Sequence, residues 1–125
     1  MNAYEDVVEF LREGEKVEAI VFGAWGWGSE PEEGDLWEFG YKEPGEDDGV
    51  PLVPFGLRGR MMSLSKAKPY MEGWSFYGGH GAPECYAVYI WTDQRVIWVT
   101  QYDGSTMLDD APRNPQSVLP EMPGA

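Results

Sequence analysis

This chain of 125 residues is poor in several of the side chains that most chemistry needs. It has one cysteine (Cys85) and one histidine (His80). A single cysteine excludes an internal disulfide, and no pair of His or Cys stands at zinc-ligand spacing. Basic residues are few, nine against 22 acidic, giving a formal charge of -13. Nucleic acid and anionic membranes both need cationic surface, so direct binding to either is not expected. No apolar run approaches the roughly 20 residues of a membrane span. The opening MNAYEDVVEF lacks a basic segment followed by an apolar one, so no secretory signal is expected and a cytoplasmic location follows.

What the chain does have is aromatic residues, glycine and proline: six Trp, 16 Gly and 10 Pro. Together they argue for one ordered domain over 1–125, rich in turns and short elements. The densest signal is the stretch ECYAVYIWTDQRVIWVTQYDG, 84–104. It predicts a long β-hairpin over about 85–102, turning at 92–95, with Asp93, Gln94 and Arg95 exposed. Neither run alternates cleanly, so both of its faces are expected to be covered.

Near the N-terminus, Tyr4, Val7, Val8 and Leu11 fall on one helical stripe, with Phe10 widening it. Asn2 and Glu5 form a capping-box start, and Gly14 is placed to end a helix over 2–13. A strand is expected over 16–23. Ser63 or Ser65 can cap a short helix that Pro69 distorts. The Pro-rich segment 109–125 is expected to be irregular, wrapping the domain and fraying at its end. The fold class expected is α+β: an antiparallel sheet centred on the hairpin, an N-terminal amphipathic helix packed on it, and long acidic loops.

Three groups of residues could carry function. Glu30, Glu32, Glu33, Asp35, Glu38, Glu43, Glu46, Asp47 and Asp48 make an acid-rich segment interleaved with Trp37, Phe39 and Tyr41, an acidic face for a basic protein surface. Trp25, Trp27, Arg58, Arg60, Trp74 and His80 offer stacking rings and cations for a small ligand such as a nucleotide. His80 and Cys85 are the only pair resembling a nucleophile and its base. Cys85 opens an apolar strand, where burial makes a thiol inert, so no catalytic residue is assigned. No cofactor or metal is expected, and oligomeric state is left open. The glycine-rich GAWGWG lacks the Lys-Ser/Thr of a phosphate loop and is followed by acids.

EKVEAIVFGAWGWG, WSFYGGHGAPECYAVYIWTDQRVIWVTQYDGS and DDAPRNP together resemble small uncharacterised proteins encoded by phages and prophages. The resemblance implies no activity and no site residues. It implies a phage or prophage origin, and with it the common mode of such proteins, binding and blocking a host protein. The leading expectation is therefore a non-enzymatic acidic binder, an inhibitor of a host defence or nucleic-acid-binding protein. A nucleotide-sequestering protein using Arg58 and Arg60 is the alternative.

Overall fold

The computed structural model describes residues 2–26, 41–42, 50–51, 53–78 and 85–120. The chain opens with helix α1 (Ala3–Phe10), which carries the expected capping box: the Asn2 side chain accepts from Glu5 N, and the Glu5 side chain accepts from Asn2 N. The helix is shorter than its apolar stripe suggested, ending at Phe10 with Leu11 extended. The inward face also differs. Ala3, Asp6 and Val7 are buried while Val8 stands 47% exposed, because Asp6 is drawn into the core by partners distant in sequence.

Strand β1 (Val17–Trp25) follows, then β2 (Tyr41–Lys42) and β3 (Val50–Pro51), which pair parallel to each other. Helix α2 (Leu64–Ala67) is capped by the Ser63 hydroxyl accepting from Lys66 N, and passes into a 3-10 turn at Lys68–Met71 that accommodates Pro69. Strands β4 (Tyr86–Thr92), β5 (Arg95–Tyr102) and β6 (Ser105–Pro112) complete a four-stranded antiparallel sheet in the order β1-β4-β5-β6. The protein is thus α+β, and no helix among the described residues is long and apolar enough to cross a membrane.

Strand β6 corrects the expectation of irregular chain over 109–112, while residues 113–120 are in neither helix nor strand. Asp109, Asp110, Ala111 and Pro112 lie opposite Trp98, Ile97, Val96 and Arg95. Pro112 is tolerated because it is the last residue of an outer strand, where its missing N–H interrupts little. The β5–β6 turn is two residues long, Asp103 (φ 50) and Gly104 (φ 80). Positive φ at both positions gives the twist that a tight hairpin needs, and Asp-Gly supplies it at low cost.

The sheet has two unlike faces. Tyr86, Val88 and Ile90 of β4, Ile97 of β5, Leu108 of β6 and Ile20 and Phe22 of β1 are buried beneath α1, α2 and the segment 53–76. The opposite face runs in register rows, Val21–Tyr89–Trp98–Asp109 and Ala19–Trp91–Val96–Ala111. Tyr89 is 56% exposed and Trp91 and Trp98 are half-buried, with Val118, Leu119 and Pro120 sharing a depression with Trp98, so this face is covered only in part and not fully as expected. An aromatic run without polar breaks concealed a burial that in fact alternates along β4. Outside the sheet, Met62 bridges to Ile20 beyond β1, and Gly78 bridges to Thr106 beyond β6.

Candidate functional site

The acidic residues Glu30, Glu32, Glu33, Asp35, Glu38, Glu43, Glu46, Asp47 and Asp48, together with Trp27 and His80, lie outside the described residues. Of the rest of the second group, Trp25, Trp74 and Arg58 are brought together around Tyr86. Trp25, Trp74 and Tyr86 meet edge to face, with ring centroids 6.2, 5.0 and 5.4 Å apart for the pairs Trp25–Trp74, Trp25–Tyr86 and Trp74–Tyr86. Phe22 and Phe76 join from the sides. The rings occupy one another's faces at these separations, as in a packed core. The Trp74 indole N–H donates to Tyr70 O at 2.7 Å, and the Tyr86 hydroxyl accepts from Val53 N at 3.0 Å. Arg58 lies over the Tyr86 ring at 5.3 Å and donates through Nε to Val53 O, whereas Arg60 is exposed.

Cys85 is buried, and burial pushes its thiol up to about 12. It is a neutral thiol at physiological pH and no nucleophile. Among the described residues no group of three or more His, Cys, Asp or Glu is placed to hold a metal ion.

Two buried carboxylates, which the sequence reading did not single out, organise the polar interior. The first is Glu15. Arg95 donates to it through Nε (2.8 Å to Oε2) and Nη2 (2.7 Å to Oε1), a two-point pair. The Thr92 hydroxyl donates to Oε2 at 2.6 Å, and Arg12 N donates to Oε1 at 2.9 Å. The Arg95 bond first, with the Arg12 and Thr92 bonds, outweighs burial and holds the Glu15 carboxyl at about 2. Arg95 also donates to Asp110 Oδ2 (3.1 Å) and to Phe10 O (2.6 Å), while its guanidinium covers the Phe10 ring at 4.7 Å. Burial opposes its charge, but Glu15 and Asp110 outweigh that and raise its pKa. Arg95 is 4% exposed, which corrects the expectation that the turn displays it; only Asp93 and Gln94 are exposed. With four donor contacts made inside the protein, Arg95 ties α1 to the sheet and is not poised to bind an anion. The signal in the sequence was an arginine on the same side of β5 as Ile97, a position that demands a buried acid.

The second is Asp6. Its Oδ2 accepts from the Ser75 hydroxyl (2.6 Å) and from Phe76 N (2.9 Å), fixing α1 to the segment after Trp74. Its Oδ1 is buried and accepts no hydrogen bond among the described residues. Asp6 forms one wall of a cavity of about 370 Å³ together with Glu9, Phe10 and Tyr77. On the partly exposed face of the sheet, a second depression of about 250 Å³ lies between Val21, Tyr89 and Trp98, above Gly23 and Ala87. A Cβ at Gly23 would come within 3.3 Å of the Ala87 Cβ, so the small residue permits the close approach of β1 and β4 there.

Comparison with family models, with curated proteins and with solved structures finds no match to this chain.

Proposed function

We propose that the protein is a non-enzymatic binding protein that engages a basic surface of a protein partner, as a phage-type blocker of a host protein would. The observation that supports this reading is the partly exposed sheet face, with Tyr89, Trp91 and Trp98 in adjoining register rows. Aromatic side chains held rigidly by a sheet give large contact area at small entropic cost, and they are enriched at the centres of interfaces. The chain's charge of -13 supplies the rest of the argument. A strongly acidic surface around an apolar patch selects a cationic partner and speeds encounter with it. In this reading the acid-rich residues 30–48 provide the long-range attraction and the sheet face provides the grip.

The test is capture of partners from a host lysate at low and high salt. The expected result is a basic protein released as salt rises, captured less well by Trp98→Ala or Tyr89→Ala and by the triple change Glu30/Glu32/Glu33→Gln. A partner indifferent to salt and to all of these substitutions, or no partner at all, overturns the proposal.

A further inference from the structure

We propose that residues 114–120 are a displaceable strap that folds down on Trp98, with Val118 and Leu119 as its contacts, and so competes for the docking face. Only the competition rests on the docking reading; contact between strap and Trp98 does not. Beyond β6 the chain turns back over the sheet. Val118, Leu119 and Pro120 share a cavity of about 560 Å³ with Trp98, Asp109 and Ala111. Trp98 and Asp109 belong to one register row of the partly exposed face, and Ala111 to the other. The chain is long enough for this return. Asp109 to Pro112 is roughly 10 Å of strand, and the stretch from Arg113 to Val118 reaches roughly 17 Å.

The strap is anchored at its start. Arg113 N donates to Gln94 O at 3.2 Å, its Nη1 donates to Thr92 O at 2.9 Å, and the same nitrogen pairs with Glu18. Among the described residues no hydrogen bond or ion pair fastens 114–120, and every residue of that stretch is exposed. Leu119 is 87% and Val118 51% exposed, across the cavity from a half-buried Trp98 ring. Apolar surfaces that border one cavity leave water when the gap closes, which favours closing. Composition points the same way. The chain has 22 acids, yet NPQSVLP, 114–120, carries no charge. The strap therefore approaches Asp109 without repulsion, whereas a second copy of a chain charged -13 is repelled. Pro115 and Pro120 fix φ within the strap and lower the entropy lost when it settles.

The experiment is paramagnetic NMR on the full chain, with a nitroxide attached through Ser117→Cys. Cys85 stays unlabelled because its thiol is buried. We expect strong broadening of the Trp98 indole N–H signal and of the Asp109 and Ala111 amides, and weaker broadening at Tyr102 and Ser105. With Val118→Ser and Leu119→Ser added together, broadening at Trp98 should fall several-fold. Competition is read with Nile red, an uncharged apolar dye. The Val118→Ser/Leu119→Ser chain should bind it several-fold more tightly than the parent, because the apparent affinity is no longer reduced by the covered fraction. Trp98→Ala should remove that gain. Broadening of Trp98 that is absent, or that survives the double change, overturns the strap. Dye affinity that stays level or falls in the double variant overturns the competition. A strap seen on Trp98 in a protein that captures no basic partner sinks the docking reading alone.

Discussion

Helix α1 is fastened to the rest of the protein by two buried carboxylates, and they are in opposite states. Glu15, just beyond the helix, has both oxygens engaged, by Arg95, Thr92 and Arg12 N. Asp6, in the middle of the helix, has one oxygen engaged twice and the other not at all among the described residues. The charges are alike and so is the burial. The difference is a dedicated cation: Arg95 is spent on Glu15 and Asp110, and none of the described residues lining the cavity at Asp6 is basic. A buried acid with its own cation is architecture.

Perturbing the closed network should do the most damage. Glu15→Ala leaves the Arg95 guanidinium buried without its two-point acceptor, and should lower stability by about 3–5 kcal/mol in urea melts. The double change Glu15→Leu with Arg95→Leu should cost much less than the sum of the single changes, because no unpaired charge remains. Acid should act next. Glu15 is held at about 2 against an ordinary 4.5, so its contribution is full above 4.5 and is lost as the pH falls towards 2. Urea midpoints should fall through that window in the parent and fall less in Glu15→Gln. Asp6 is predicted to be milder. Asp6→Asn should change stability by no more than about 1 kcal/mol, since it removes a charge with no cation and keeps the Oδ2-side contacts. Smallest of all should be Tyr89→Ala on the partly exposed face, within about 0.5 kcal/mol of the parent, as for surface substitutions generally. A large loss at Asp6 together with a small one at Glu15 would invert the comparison.

How far the sequence foretold this depends on the range of the interaction. The capping box at Asn2 and Glu5 and the Ser63 cap were legible because each is decided by residues at most three apart. The antiparallel α+β class followed from aromatic and β-branched runs separated by turns. The polar interior was hidden for the converse reason. Arg95 and Glu15 are 80 positions apart, and Asp6 and Phe76 are 70 apart, so no window of sequence holds both partners. Tyr89, Trp91 and Trp98 misled for a different reason: a large ring on a partly exposed face has the same letter as one in a core. The helix ended early because Leu11 turns extended, letting Glu15 fold back so that its side chain meets Arg12 N and Arg95.

The bridges at the two margins of the sheet carry a further consequence. Met62 holds Ile20 by two backbone hydrogen bonds and Gly59 holds Phe22 O, while Gly78 holds Thr106 on the far side. Each clip occupies donors and acceptors that a strand from another molecule would otherwise recruit. A β-rich surface bearing Trp and Tyr is a hazard for fibrous aggregation, and here growth along the sheet is obstructed at both margins. Lateral polymerisation should therefore begin only after a clip opens, which makes Met62 and Gly78 the places where a substitution would favour self-association.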